Sequence, residues 1–349
     1  MNIKVLIVDD SALIRSLLTE IINSEPSLEV VGAAPDAYVA RDMVNLYTPD
    51  VITLDIEMPK VDGLTFLEKL MKARPTPVVM ISTLTEKGAE ATLKALELGA
   101  VDYIAKPKLG VAQGIEDYRT LIIDKIRLAA QAKVRALKKR VIAPHIKPLN
   151  LQGTERIIAI GASTGGTEAI KTVLMNLPAN SPAVVITQHM PPGFTTTFAN
   201  RLNTLCKINV QEAHGGERLL PGTAYLAPGT HHLEVIKSGA DYRLQLSDAG
   251  RMSGHKPSVD MMFLSLAKWS GKNSVAVILT GMGKDGAQGM FELHKQGAYT
   301  IAQSEESCVV FGMPKEAIKC GGVDKIVDLD NVASAVLSHL QQTQAGSRL

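Results

Sequence analysis

The sequence predicts an α/β protein built from two doubly wound parallel-sheet domains, the second carrying an antiparallel hairpin insertion. Three observations lead there. Short apolar runs bounded by Gly or Pro recur along the chain, which is how strands buried on both faces of a parallel sheet read. These runs alternate with helical stretches, the pattern of a doubly wound sheet. The length of 349 residues fits about two domains of roughly 150 residues each. Hydrophobic residues make up 46% of the chain and aromatics only 4%, so the cores are expected to be aliphatic.

In the first domain, Ile3 to Val8 is a strand ending in Asp9-Asp10. Ser11 then caps a helix whose apolar positions are Leu13, Ile14, Leu17, Leu18, Ile21 and Ile22, spaced for one buried face. Leu28 to Ala33 is the second strand. Val51 to Leu54 is the third and ends at Asp55; Val78 to Ile81 ends at Ser82; Tyr103 to Ala105 ends at Lys106-Pro107. Ligands bind beyond the carboxyl ends of such strands. Asp9, Asp10 and Asp55 are therefore expected at one edge, where three carboxylates repel unless a cation lies among them. An all-oxygen donor set fits Mg²⁺, whose octahedron water and phosphate oxygens can complete. Lys106 adds an ammonium and Ser82 a hydroxyl, so Asp55 has the surroundings that would stabilise a transferred phosphoryl group. The simpler alternative makes each Asp a helix cap.

Asp-Asp, Asp, Ser and Lys-Pro in this order on successive strands resemble a response-regulator receiver domain over residues 3–121. The resemblance implies a flavodoxin-like fold with Asp55 as phosphoacceptor, Asp9 and Asp10 as metal-binding acids, Ser82 as switch hydroxyl, Tyr103 as switch aromatic and Lys106 as the lysine beside the acceptor. Met58-Pro59 and Asp62-Gly63 match the loop after the acceptor.

Residues 122–152 read as a linker. Leu121, Ile122, Ile126 and Leu128-Ala129 finish a helix on the first domain, and Lys and Arg are then interleaved with Ala and Leu up to Arg140. Pro144 and Pro148 break any helix beyond. A basic arm for nucleic acid or anionic lipid is the rival reading. The stretch has no interleaved aromatics, and the net charge of +2 argues against a nucleic-acid binder.

The second domain, residues 153–349, starts with the strand Ile157 to Ile160, then Gly161-Ala162-Ser163-Thr164-Gly165-Gly166-Thr167 and a helix to about Asn176. A nucleotide site also begins this way, but the GxGxxG spacing and the Walker lysine are missing. Val184 to Thr187 ends in Gln188-His189. Thr223 to Ala227, His232 to Lys237 and Tyr242 to Leu246 read as antiparallel strands inserted beside the sheet. Val275 to Leu279 resumes the parallel pattern and leads into Thr280-Gly281-Met282-Gly283-Lys284-Asp285-Gly286. Tyr299 to Gln303 is a further strand, and a helix closes the domain near Val332 to Gln341. Ser163, His189 and Asp285 each follow a strand, and together they are the parts of an activated serine nucleophile. The N–H groups of Thr164 and Gly165, at a helix N-terminus, are candidate oxyanion donors. Three rivals remain: a helix cap, a loop histidine and a turn aspartate by coincidence; a triad within His255, Ser258 and Asp260; and His231-His232 as metal ligands. His255 to Asp260 is read as a wall of the cleft with Asp260 capping the next helix, His231 and His232 as pointing to opposite faces of a strand, and His214 as a turn residue.

The stretches around Ser163, His189 and Asp285, together with Gly254-His255-Lys256-Pro257-Ser258-Val259-Asp260, resemble the catalytic domain of the chemotaxis protein-glutamate methylesterases, a Rossmann-like α/β esterase. A receiver followed by this domain matches that family in order. The resemblance implies hydrolysis of glutamate γ-methyl esters on methyl-accepting chemotaxis receptors, deamidation of receptor glutamines, and phosphorylation by a chemotaxis histidine kinase. Ser163 would be the nucleophile, His189 the base and Asp285 its orienter, with the Met282 N–H joining Thr164 or Gly165 at the oxyanion. No cofactor is expected in the second domain. A receiver with a DNA-binding output, or a silent scaffold, are the other classes; the first needs a helix-turn-helix that strand-rich residues 153–349 do not offer. The N-terminus shows no signal peptide and no run approaches the ~18 apolar residues of a membrane span. The expectation is a cytoplasmic monomer, with Cys206, Cys308 and Cys320 reduced and mostly buried.

Overall fold

The computed structural model describes residues 2–83, 85–106, 115–134 and 156–345. The chain divides into two compact units, residues 1–140 and 141–349. Most of the basic linker, from residue 135 to 155, and Pro107 lie outside the described residues.

In the first unit the elements are β1 (Ile3–Val8), α1 (Ala12–Asn23), β2 (Leu28–Ala34), α2 (Ala37–Tyr47), β3 (Val51–Asp55), α3 (Gly63–Ala73), β4 (Val78–Ser82), α4 (Glu86–Glu97), β5 (Asp102–Ala105) and α5 (Ile115–Gln131). The strands are parallel in the order β2-β1-β3-β4-β5, the flavodoxin-like winding. Val5 to Val8, Val51, Ile52, Leu54 and Val78 to Ile81 are wholly buried, as a sheet covered on both faces requires. Side chains of Ser11, Asp36, Asp62 and Thr85 accept first-turn N–H groups and start α1 to α4. Buried Ile122, Ile126 and Ala129 carry α5 beyond residue 121.

In the second unit the elements are β6 (Ile157–Ala162), α6 (Gly166–Met175), β7 (Ala183–Gln188), α7 (Phe194–Leu205), β8 (Asn209–Glu212), β9 (Thr223–Leu226), β10 (His232–Ser238), β11 (Asp241–Ser247), α8 (Val259–Trp269), β12 (Ser274–Ile278), α9 (Ala287–Lys295), β13 (Tyr299–Gln303), α10 (Met313–Lys319), β14 (Lys325–Val327) and α11 (Leu329–Ala345). Seven parallel strands run β14-β13-β12-β6-β7-β9-β8. The winding reverses at β6: the chain moves outward through β7 on one side and returns through β12 on the other. Such a switch point opens a crevice at the strand carboxyl ends.

Only β10 and β11 form the antiparallel hairpin. The sequence reading that placed Thr223 to Ala227 with them is corrected: β9 pairs in parallel with β7 and β8, inside the main sheet. All four of its residues are buried, and the Tyr225 hydroxyl donates to Arg218 O at 2.9 Å. A buried tyrosine with its polar tip satisfied had passed for half of an alternating pattern. The hairpin packs Leu233, Val235, Tyr242 and Leu244 into one core with Val259, Met262, Phe263 and Leu266 of α8, fixing where that helix begins. Its cap is Ser258, whose Oγ accepts the Met261 N–H, and not Asp260.

The cysteines differ from expectation. Cys308 is buried, Cys206 half-buried and Cys320, at the end of α10, exposed. Burial, against a smaller pull from Lys171, pushes the Cys206 thiol up to about 11. Because the thiolate is the reactive form, a maleimide at pH 7 is expected to label Cys320 fast and the other two slowly, as read by peptide mapping over time.

Candidate active site and phosphoacceptor site

The carboxyl ends of β6, β7 and β12 deliver Ser163, His189 and Asp285 to one place. The Ser163 hydroxyl donates to His189 Nδ1 at 3.1 Å, and His189 Nε2–H donates to Asp285 Oδ2 at 2.7 Å. This assigns the tautomer: the proton rests on Nε2 and the Nδ1 lone pair faces the serine. His189's side chain is 9% exposed and that of Asp285 is wholly buried.

Asp285 is held on every side. Its Oδ1 accepts from the Ser258 hydroxyl at 2.7 Å and the Asp260 N–H at 3.0 Å, and its Oδ2 accepts from the Val259 N–H at 2.8 Å. These donors form the N-terminus of α8, where a negative charge is favoured. Burial pushes the Asp285 carboxyl up, but the hydrogen bond and charge of His189 and the donors at Asp260 and Ser258 outweigh it and bring the group down to about 2. Nearby Asp260 moves the other way, raised by burial against a hydrogen bond from Gly289. His232, wholly buried on β10, accepts the Ser258 N–H at Nδ1 (3.1 Å) and donates from Nε2 to Gly250 O (3.0 Å). Both of its nitrogens are thus spent inside the fold. His231 instead meets the Thr230 hydroxyl, and His214 is exposed.

The loops around Ser163 interlock. Ser163 N–H donates to Thr280 O at 3.1 Å, and the Thr280 hydroxyl donates to Thr164 O at 3.0 Å. Gln303 accepts the Thr280 N–H, and Gln188 Nε2 donates to Ser163 O. Gly165 has φ +75°, and a Cβ on Gly281 would lie 2.8 Å from Ser163 Cβ, so residue 281 must lack a side chain for its backbone to come this close. Among the described residues, no acceptor takes the backbone N–H of Gly165 or Met282. Thr164 is buried, with its carbonyl used by Thr280.

Sequence reasoning placed residues 254–260 as a wall of the cleft but missed that they hold Asp285. Ser258 and the backbone of Val259 and Asp260 grip Asp285, and the His255 ring stacks on His189 at 3.7 Å between centroids. The signal was a serine placed just before the apolar face of α8, an N-cap that turns a helix terminus toward the strand ends.

In the first unit, the ligand atoms of Asp9, Asp10 and Asp55 lie within 4.8 Å of one another. Lys106 Nζ is 2.8 Å from Asp55 Oδ2 and 3.3 Å from Asp9 Oδ2. Burial raises the Asp55 carboxyl to about 6, the Lys106 hydrogen bond opposing this and Asp9 adding to it. Asp9 Oδ2 is buried and accepts no hydrogen bond. A buried carboxylate oxygen met only by the Lys106 ammonium, within an all-carboxylate set, fits a hard divalent cation. The Ser82 hydroxyl is 2.7 Å from the donating Thr92 hydroxyl and itself turns to Gly88 O at 3.3 Å, on the α4 side. Tyr103 is buried, with Lys125 Nζ 5.5 Å from its ring centroid. No helix among the described residues is long and apolar enough to cross a membrane.

Residues 158–336 match the family model for CheB methylesterase, and residues 5–111 match that for the response regulator receiver domain. A Pseudomonas aeruginosa protein named protein-glutamate methylesterase/protein-glutamine glutaminase 2 is 56% identical over 349 residues, covering 100% of both chains. The protein-glutamate methylesterase/protein-glutamine glutaminase of Methylobacillus flagellatus is 59% identical over 345 residues, 97% of each chain. The crystal structure of the Thermotoga maritima CheB methylesterase catalytic domain matches with a TM-score of 0.52 at 37% identity, over 53% of this chain and 99% of that one. The chain belongs to the CheB methylesterase family, in the two-domain form of a response-regulator receiver followed by an esterase unit.

Proposed function

We propose that the second unit is a serine hydrolase that removes methyl groups from glutamate γ-methyl esters, and amide groups from glutamines, on methyl-accepting chemotaxis receptors, and that phosphorylation of Asp55 raises its activity and so adjusts sensory adaptation. The observation that carries the chemistry is the hydrogen-bonded line from Ser163 through His189 to Asp285. Ser163 Oγ attacks the ester carbonyl as His189 Nδ1 takes its proton. Asp285 keeps the other ring proton on Nε2 and stabilises the imidazolium. The carbonyl oxygen becomes an oxyanion, for which the Met282 and Gly165 N–H groups are the supported donors, with Thr164 beside them. The imidazolium then gives its proton to the leaving methoxide, releasing methanol, or to the leaving amide nitrogen, releasing ammonia. Water, deprotonated by the same nitrogen, cleaves the acyl-enzyme and frees the glutamate side chain.

In the first unit Asp9, Asp10 and Asp55 would hold Mg²⁺, which when bound neutralises charge on the incoming phosphoryl group. Lys106 pairs with Asp55 at 2.8 Å, and the Ser82 hydroxyl and Tyr103 are the groups that would respond. A chemotaxis histidine kinase is the proposed phosphodonor, the cytoplasm the site of action, and residues 1–121, 122–152 and 153–349 the working division into receiver, linker and esterase.

The test is methanol release from methylated receptor membranes. The full chain should release methanol, and acetyl phosphate with Mg²⁺ should raise the rate about fivefold or more, the lower end of ordinary coupling free energies. Asp55→Asn should keep the basal rate and lose the stimulation. An Asp55→Asn protein that is still stimulated would place the control elsewhere.

A further inference from the structure

We propose that His255 is a positioning residue for the proposed base, its imidazole lying flat on that of His189 and fixing the plane in which His189 reaches both Ser163 and Asp285. This rests on the reading of Ser163 and His189 given above. The ring centroids are 3.7 Å apart and the planes differ by 12°. His189 is otherwise held by two hydrogen bonds, one at each ring nitrogen. Two bonds, one at each nitrogen, define only a line. The ring remains able to rock about that line, carrying the Nδ1 lone pair off the serine. A flat partner against its face removes this freedom.

His255 is itself fixed. Met252 and His255 exchange backbone hydrogen bonds at 3.1 and 2.9 Å, closing a turn in which Ser253 and Gly254 have φ of 53° and 83°. The Ser253 hydroxyl donates to Asp260 Oδ2 at 3.1 Å. Beyond the turn, Ser258 is tied by His232 and grips Asp285. One short segment therefore braces the base on its face and the acid at its back. The surrounding geometry singles out the ring of His255, since no other aromatic ring stacks on His189 among the described residues.

The experiment compares His255→Ala and His255→Phe in the full chain, with two readouts: kcat and KM for methanol release, and the rate at which a fluorophosphonate labels Ser163, which needs no receptor. His255→Ala should lower kcat about tenfold, the rate equivalent of losing an aromatic pair, leave KM within about twofold, and slow labelling by the same factor. His255→Phe, flat but without ring nitrogens, should restore both rates to within about threefold of the native protein. If the alanine variant melts early, His255→Leu, bulky but not flat, takes its place. Three outcomes would overturn the proposal: native kcat without the ring, a raised KM with native labelling (a substrate contact), or a phenylalanine variant as slow as alanine. Ser163→Ala run alongside separates the levels. An active Ser163→Ala protein removes the underlying reading, whereas an inactive one beside a fully active His255→Ala protein removes only this inference.

Discussion

Replacing Ser163 with alanine is expected to cut methanol release by at least about 10⁴-fold while leaving the protein folded. The hydroxyl is the only atom lost. Its proton goes to His189 Nδ1, and the backbone bonds that set the loop, Ser163 N–H to Thr280 O and Gly166 N–H to Ser163 O, need no side chain. The residue is half-buried, and forfeiting one hydrogen bond there should move the unfolding free energy by about 1 kcal/mol or less. Kinetics with receptor membranes and a urea melt check the two halves of this expectation. A variant that unfolds would say nothing about chemistry, which is why the melt accompanies the assay.

The second large effect is expected from Asp285→Asn: a fall in kcat of about 10³- to 10⁴-fold. The carboxylate accepts the Nε2 proton and thereby leaves the Nδ1 lone pair toward Ser163. An amide at that place can turn its NH₂ group to Nε2, moving the ring proton to Nδ1, where it blocks acceptance from the serine. The same substitution carries a pH signature. Asp285 is held at about 2 in the folded protein, below the ~3.9 of an unfolded Asp. The ionised group therefore adds stability, on the order of 2 kcal/mol, that is fully present above about pH 4 and lost as pH falls toward 2. Denaturant melts of the native protein and Asp285→Asn should differ most at about pH 5 to 7, draw together through about pH 4 to 2, and converge only below about pH 2. A difference that stayed constant with pH would mean the carboxylate is not stabilised by its surroundings.

Much of this arrangement was legible from one chain of letters, for a physical reason. Fully buried parallel strands are short, apolar and bounded by turn residues, so β1, β3, β4, β6, β7 and β12 stood out, and with them Asp9, Asp55, Ser82, Ser163, His189 and Asp285 at their ends. Where burial was not written in apolar residue types, reading failed. β9 is buried along its whole length yet contains a threonine and a tyrosine. β8 and β14 are short edge strands, half exposed in β8 and two-thirds exposed in β14, so no apolar run announced them. The segment 252–260 misled for another reason. Its His, Ser and Asp, read as seldom facing one another from a single short loop, each meet a partner that arrives from elsewhere: His189 for His255, Asp285 for Ser258, Gly289 for Asp260. Nor does any spacing tell which ring nitrogen of His189 faces the serine.

The central claim is that Ser163 is the nucleophile by which this chain opens glutamate methyl esters. Its most direct measurement is stoichiometric labelling with a fluorophosphonate, mapped by peptide mass and followed by methanol assay. One adduct on Ser163, with methanol release falling in proportion to the labelled fraction, is the predicted result. An adduct at another residue, or undiminished release from fully labelled protein, would contradict it.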